Sequence, residues 1–374
     1  MKDLRKKHIR RARRIVVKVG SAVIAGSGEG STIFDRLASE IDGLKKGVVE
    51  AVIVSSGAIA LGMKALGLGA RPSSIPERQA VAAVGQGSLM SRYDAAFGRF
   101  GIRVAQVLLT HDDLASRKRF LNARNTLTTL LRLSIVPVIN ENDTVATEEI
   151  KFGDNDALSA LTTNLCEADL LVILTDIDGL YDKDPKKDSS AKKVRLVEDV
   201  DALRLDVFSA EAGGLGTGGI ISKCEAARKA AHFGVPTVIA DGRTGGVLGK
   251  VLACEDIGTL FLPKEDRLTS RKHWIAFSTR PTGRLFVDDG AKEALLKKGG
   301  SLLPSGIKDV DGGFEAGEVV HCVDAKGMEF ARGVANYSSA EIKRIKGIKT
   351  TEIEAALGYK VYDEVIHRDN LVVM

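Results

Sequence analysis

The stretch Ile15-Val16-Val17-Lys18-Val19-Gly20-Ser21, residues 15–21, is an apolar run broken by one lysine and stopped by a glycine. A run this short and this apolar, bounded by a turn residue, marks a strand buried on both faces. A glycine-rich loop, Gly20 to Gly30, is expected to follow directly. Beyond it Phe34, Leu37, Ala38, Ile41 and Leu44 recur at the spacing of one helix face, with Thr32 placed to cap the start and Gly47 to end it. Ala51-Val52-Ile53-Val54 then returns as a second buried strand, closing in Ser55-Ser56-Gly57-Ala58. The order is strand, loop, helix, strand.

The alternation continues with apolar strands near Val104 to Leu109, Ile135 to Ile139, Leu170 to Leu174 and Val235 to Ala240, and helical stretches such as Cys224 to His232 between them. It predicts an α/β fold, a mainly parallel sheet sandwiched by helices. Polar clusters stand where the strands stop: Lys18-Val19-Gly20-Ser21, Ser55-Ser56-Gly57, Asn140-Glu141-Asn142-Asp143 and Thr175-Asp176-Ile177-Asp178. The carboxyl edge of such a sheet is where ligands bind. Past Gly258-Thr259-Leu260-Phe261-Leu262 the texture changes, and Arg271 to Pro281 reads as a junction. From Pro281 to Tyr359 short apolar segments alternate with glycine turns, as in a small β-rich module. The expected division is therefore an N-terminal arm over 1–14, a catalytic domain over 15–265 and a second domain over 281–359.

A chain of 374 residues is long enough for two cores. With 44% hydrophobic and 28% charged residues, and no apolar run near the roughly 20 residues that cross a bilayer, neither disorder nor a membrane span is expected. The net charge of +5 is misleading. Lys2, Arg5, Lys6, Lys7, Arg10, Arg11, Arg13 and Arg14 against Asp3 put +7 in the first fourteen residues and leave −2 for the rest. The basicity belongs to a short arm, expected to be solvated, with a polyanion contact as the alternative. Cys166, Cys224, Cys254 and Cys322 are far apart and form no ligand pattern, so inert thiols in a reducing cytoplasm are expected.

Burying an unpaired ammonium is costly, so Lys18 in an apolar strand should reach an anion at the strand end. Gly20 and Ser21 open backbone N–H groups to that anion, and a phosphate satisfies all three. The stretch is not the GxxxxGK[ST] loop, and a lysine snorkelling from an edge strand has the same look. Gly213 to Gly219 holds five glycines in seven residues ahead of Ile220-Ile221-Ser222-Lys223, where a helix opens. Glycines let backbone wrap a phosphate chain, the helix start adds positive potential, and Lys223 can neutralise a transferred group. The glycines alone describe a flexible turn equally well.

Asn140 to Asp143 and Gly153-Asp154-Asn155-Asp156 supply acids and amides that suit a divalent cation, Asx turns or an amino-acid ligand. For an amino acid, Asp143 would receive the ammonium, Asn155 and Ser56 would hydrogen-bond the carboxylate, and Asp156 would hold the two lysines apart and in line. Thr175-Asp176 ahead of Gly179-Leu180-Tyr181 fits ordinary turn chemistry or a nucleotide contact.

Together these motifs resemble the amino-acid kinase family over nearly the whole chain. The resemblance is carried by VVKVGS (16–21), VSSGAIALG (54–62), RFLNARNTL (119–127), VPVINENDTVATEEIKFGDNDALSA (136–160), LTDIDGLY (174–181) and GLGTGGIISK (214–223). VPVINEND and GDND are similar to the members that act on glutamate rather than on aspartate, acetylglutamate or uridylate. The resemblance implies an amino-acid kinase fold with ATP and Mg²⁺ as cofactors. It places Lys18, Thr175, Asp176, Thr217, Gly218, Gly219, Ile220, Ile221, Ser222 and Lys223 at ATP-binding positions and Ser56, Asp143 and Asn155 at substrate positions. The implied catalytic residues are Lys18 and Lys223, stabilising the transition state, with Asp156 as their organiser.

The implied reaction moves the γ-phosphoryl of ATP to the side-chain carboxylate of L-glutamate, giving L-glutamyl 5-phosphate, the first step of proline biosynthesis. A carboxylate is already deprotonated, so no general base is required and alignment and charge neutralisation carry the catalysis. Feedback inhibition by L-proline and a homo-oligomer, dimer or tetramer, are further implications. The basic arm ahead of Arg14 departs from the family's usual short start.

SLLPSGI (301–307), GEVV (317–320) and ARGVANYSS (331–339) resemble a PUA domain. A structural or regulatory role is expected of it, and Lys343, Arg344, Lys346 and Lys349 are expected on a solvated face. RNA binding through this unit and the arm is the competing function; it would weaken steeply with salt and survive loss of Lys18, as phosphoryl transfer would not.

Overall fold

The computed structural model describes residues 2–25, 32–146, 154–183, 185, 188–203, 218–264, 272, 275–276 and 281–374. The chain divides into two units, the first Met1–Leu114 with Lys118–Arg267 and the second Ala115–Arg117 with Leu268–Met374.

In the N-terminal unit the strands are β1 (Arg14–Val19), β2 (Glu50–Ser55), β3 (Val104–Leu109), β4 (Val136–Glu141), β5 (Leu170–Thr175), β6 (Leu180–Tyr181), β7 (Lys193–Val194), β8 (Leu196–Val197), β9 (Thr237–Asp241) and β10 (Thr259–Phe261). Eight form one sheet in the order β3-β4-β2-β1-β5-β9-β10-β8. From β3 to β9 every pairing is parallel; β10 runs antiparallel to β9, and β8 parallel to β10. Strands β6 and β7 form a separate antiparallel pair. The expected mainly parallel α/β sheet is the fold observed.

The central strands explain their own sequences. β1 and β2 are buried over their last five residues, and β5 over all six, because helices cover both faces. Register places Lys18 beside Val54 and Ile173, and Val19 beside Ser55 and Leu174, so the polar ends of β1, β2 and β5 meet at one edge. The helix Ile33–Lys46 starts where expected: Asp35 N donates to Thr32 Oγ1 at 3.3 Å, Thr32 N donates to Asp35 Oδ2 at 3.1 Å, and Gly47 ends it.

Helices Ala58–Ala65 and Ile75–Gly98 touch backbone to backbone. A methyl on Gly62 would stand 1.9 Å from Val81 O, and one on Gly85 1.8 Å from Ala58 O. Only glycine allows this approach, which sets the first of these helices at the end of β2.

Three expectations need correction. The first fourteen residues are not a solvated arm: Lys2–Ile9 is a helix, and Arg5, Ile9 and Ala12 are buried while Lys6, Lys7, Arg10 and Arg11 stay exposed. Ile9 joins the main core, and Arg5 Nη2 donates to Gly258 O at 3.4 Å and lies 3.7 Å from Asp256. The stretch after Gly20 is not loop throughout, because Ser21–Ala25 is a short helix whose Val23 and Ile24 are drawn into the core. The remainder of the expected loop, 26–30, lies outside the described residues.

The third correction concerns the C-terminal unit. It holds a five-stranded sheet, β12-β11-β13-β14-β15, from β11 (Gly283–Val287), β12 (Ile307–Gly312), β13 (Val319–Val323), β14 (Glu329–Val334) and β15 (Leu371–Val373). β11 and β13 are parallel, and the other neighbours antiparallel. The sheet thus extends beyond Tyr359, where the second domain was expected to end, because Leu371 and Val372 are buried on β15. Leu285, Val320, Cys322, Ala331, Tyr337 and Ile342 belong to its core.

All four cysteines are free and buried, and burial pushes the thiols of Cys166, Cys224 and Cys322 up to about 12. Among the described residues no helix is long and apolar enough to cross a membrane.

Candidate active site

At the carboxyl edge of the sheet lies a cavity of about 400 Å³. Its walls include Lys18 from β1, Ser56 after β2, Asn140 and Glu141 from β4, Thr175 from β5, Asn155 and Asp156 from the helix Asp154–Leu165, and Ser222 and Lys223 from the helix Gly218–His232. Parallel strands end together, so residues far apart in sequence converge here.

A buried charge cluster forms the floor. Lys18 ion-pairs with Asp156 Oδ1, and Lys223 Nζ lies 3.4 Å from Asp156 Oδ2. Ser222 Oγ donates to the same Oδ2 at 2.7 Å, and Lys223 Nζ donates to Gly219 O at 2.6 Å. Lys18, Asp156 and Lys223 are 4%, 1% and 8% exposed, so water does little to screen them.

Burial alone would raise the Asp156 carboxyl, but Lys18, Lys223 and the Ser222 hydroxyl outweigh it and hold the group below the usual carboxylate range. Lys18 is pulled below the ordinary lysine value, first by burial and further by Lys223, against the attraction of Asp156. Two ammonium groups share one carboxylate, leaving a net charge of +1 in a place with little water. That arrangement recruits an anion.

The other wall is polar and nearly neutral. Asn155 Nδ2 donates to Ser56 Oγ at 3.2 Å and to Asn140 Oδ1 at 2.9 Å, while Asn140 Nδ2 donates to Gln86 Oε1 at 2.8 Å. Asn155 was expected to hydrogen-bond a substrate carboxylate. Both its N–H groups are already used, so the remaining atom, Oδ1, is an acceptor. Beside it Gly57, at φ 102°, turns the chain into the helix Ala58–Ala65, whose first residues line the cavity with their N–H groups at the helix start.

Asp143 also lines the cavity, in a turn where Thr144 Oγ1 donates to Asn142 Oδ1 at 2.6 Å. Asx chemistry therefore organises the segment that presents Asp143. Thr175 Oγ1 donates to Asp176 Oδ1 at 3.1 Å, and Arg243 Nη2 donates to Asp176 O at 2.6 Å.

Of the residues picked from sequence, Lys18, Ser56, Asp143, Asn155, Asp156, Thr175, Asp176, Gly219, Ser222 and Lys223 line this one cavity. Gly218 opens the helix beside it; Ile220 and Ile221 lie in its first turn without lining the cavity. Thr217, the glycines from Gly213 to Gly216, and Gly153 lie outside the described residues. Sequence reasoning missed Arg71, which lines the cavity, and Gln86, which supports its amide wall. Neither stands in a motif; only the polarity of Gln86 within a glycine-flanked helical stretch hints at it.

Among the described residues no group of three His, Cys, Asp or Glu side chains stands ready for a metal. Asp156 is committed to the two lysines. The oxygen donors of Asp176 and of a bound phosphate chain suit magnesium, which keeps several waters and takes few protein ligands.

The Amino acid kinase family profile matches residues 13–241, and the PUA domain profile residues 283–357. The chain is 52% identical to the "Glutamate 5-kinase" of Syntrophotalea carbinolica, over 99% of this chain and 100% of that one. It is 52% identical to that of Geobacter metallireducens, over 98% and 99%. For the Chromobacterium violaceum protein of the same name the identity is 52%, over 96% and 98%. With a family profile over more than half its length and relatives this similar end to end, the chain belongs to the amino acid kinase family, among the glutamate 5-kinases with a C-terminal PUA domain.

Proposed function

We propose that the protein transfers the γ-phosphoryl group of ATP to the side-chain carboxylate of L-glutamate, yielding L-glutamyl 5-phosphate and ADP, the opening step of proline biosynthesis. The observation that carries this reading is the buried Lys18–Asp156–Lys223 cluster, a net positive site between two polar walls.

Each wall has a role. On the nucleotide side Lys18, Thr175, Asp176 and the segment Thr217, Gly218, Gly219, Ile220, Ile221, Ser222 and Lys223 hold ATP. On the acceptor side Asp143 takes the ammonium of L-glutamate, and Ser56 donates its hydroxyl hydrogen to the α-carboxylate. The side-chain carboxylate then faces the lysines. It is an anion at neutral pH, so the protein need only align it with the γ-phosphorus and neutralise the charge that develops on the phosphoryl oxygens.

Lys18 and Lys223 supply that neutralisation, and Asp156 holds both in place. Asp176 would hold magnesium arriving with the nucleotide, and the ion would neutralise phosphate charge that repels the incoming carboxylate.

L-Proline carries an α-carboxylate beside a cationic nitrogen, a secondary ammonium in place of the primary one of L-glutamate, so feedback inhibition at an overlapping site belongs to the reading. So do a homo-oligomer, a cytoplasmic location, and a structural or regulatory role for the PUA domain, with RNA as its alternative ligand.

The test is hydroxamate formation from hydroxylamine, Mg-ATP and L-glutamate, with L-aspartate and N-acetyl-L-glutamate alongside. Hydroxamate with L-glutamate alone is expected. Product with another acceptor and none with L-glutamate would overturn the substrate and keep the fold.

A further inference from the structure

The backbone ladder between β5 and β9 stops at the cavity. Thr175 is paired with Asp241, and the last backbone bond between the two chains runs from Gly242 N to Thr175 O at 2.8 Å. The next residue, Asp176, is exposed and lines the cavity. Its carbonyl lies beyond the backbone pairing, and a side chain serves it instead: Arg243 Nη2 donates to Asp176 O at 2.6 Å. The guanidinium thus adds one rung to the ladder.

The group that makes this rung is itself clamped. Arg243 Nε lies 2.9 Å from Asp241 Oδ1 and Nη2 lies 2.9 Å from Asp241 Oδ2, a two-pronged pairing with the last residue of β9. Arg243 N donates to Asp241 Oδ1 at 2.9 Å. Arg36, from the helix Ile33–Lys46, donates to Gly242 O at 3.2 Å and to Arg243 O at 3.4 Å. Main chain and side chain of Arg243 are both held. The Arg243 side chain is nevertheless largely exposed, and an ion pair so open to water adds little to the stability of the fold. What the clamp fixes is the place of the Asp176 carbonyl.

We infer that Arg243 is a positioning residue, which holds the main chain of Asp176 so that its carboxylate is presented to magnesium arriving with the nucleotide. The side chain of Asp176 is steadied separately, because Thr175 Oγ1 donates to Asp176 Oδ1 at 3.1 Å. Main chain and carboxylate are therefore both set before a ligand arrives, and such outer contacts tune how well a metal is held. Arg243 does not itself line the cavity, so it acts through Asp176. The inference rests on the placing of Asp176 on the nucleotide side.

The test is titration calorimetry of ADP, once with Mg²⁺ and once with EDTA, on the wild type, Arg243→Gln, Asp176→Asn and the double variant, so that no turnover is needed. Asp176→Asn is expected to weaken Mg-ADP binding by about tenfold and not to weaken ADP binding in EDTA. Arg243→Gln is expected to reproduce about half or more of that tenfold loss, again only with Mg²⁺, and to cost nothing further when added to Asp176→Asn. The thermal midpoint and the L-glutamate KM of Arg243→Gln should stay at wild-type values, as they would not if the residue merely supported the fold. An equal loss in Mg²⁺ and EDTA, a further loss in the double variant, or a parallel rise in the L-glutamate KM overturns the inference. So does wild-type Mg-ADP binding in Arg243→Gln beside weakened binding in Asp176→Asn, which leaves the placing of Asp176 intact. Wild-type Mg-ADP binding in Asp176→Asn overturns that placing itself, and the inference with it.

Discussion

Lys18, near the end of the first strand, and Asp156, in the first turn of a helix late in the fold, form an ion pair that is almost wholly buried. Lys223 leans on the other oxygen of the same carboxylate at 3.4 Å. One acid thus separates and orients two cations. Removing it would leave both facing each other without compensation.

Asp156→Asn is therefore expected to destabilise the fold by about 3–5 kcal/mol, the usual cost of breaking a buried pair from one side, as well as to depress kcat. The pH dependence follows from the two shifts. The depressed Asp156 value contributes stability that is present above its unfolded value of about 3.9 and lost as pH falls through its folded value. The depressed Lys18 value acts in the opposite sense: its cost is full below the folded value and relieved as pH rises toward the unfolded one, near 10.4. Thermal melts across pH should show Asp156→Asn losing part of the acid sensitivity. Loss of activity on the alkaline side should begin below the ordinary lysine range, and earlier still in the variant.

If Asp143, which lines the cavity, takes the substrate's ammonium as proposed, Asp143→Ala should raise the KM for L-glutamate at least about tenfold while moving the Mg-ATP KM little. Steady-state kinetics with each substrate varied decides it. Equal changes in both would remove Asp143 from the role of ammonium ligand.

Gly85→Ala would place a methyl 1.8 Å from the carbonyl oxygen of Ala58, the first residue of the helix beside Ser56. Backbone cannot yield as a side-chain tip can. A loss of about 1–3 kcal/mol on urea denaturation is expected, with a raised L-glutamate KM as the helix start shifts. Stability and KM both at wild-type values would contradict the packing described.

Ile9→Ala should cost about 2–4 kcal/mol, since Ile9 is fully buried in the core of the N-terminal unit. A solvated arm would show no change in the same denaturation experiment. This is the sharpest test of the helix Lys2–Ile9.

That helix also shows where sequence reading stops. Arg5, Ile9 and Ala12 make a weak stripe inside a run of charges, and counting the charges hid it. Lys18 was legible for the opposite reason: a single ammonium in an apolar strand has no comfortable place except against an anion. The caps Thr32 and Gly47 were local, so local rules found them. Gln86 and Arg71 were not legible, because what matters about them is which distant residues the sheet brings beside them. β15 was missed because a three-residue edge strand has no period to detect. The resemblance put Asn155 at a substrate position; the structure places it in the cavity lining, and the hydrogen bonds to Ser56 and Asn140 reveal which of its atoms is left over.

The most direct test of the central claim is the kcat of Lys223→Ala for hydroxamate formation from L-glutamate, with both KM values measured alongside. If Lys223 neutralises charge in the transition state, kcat should fall by about a hundredfold or more while the KM values for L-glutamate and Mg-ATP move a few-fold at most. A kcat near that of the wild type would show that the buried pair of lysines is not what moves the phosphoryl group.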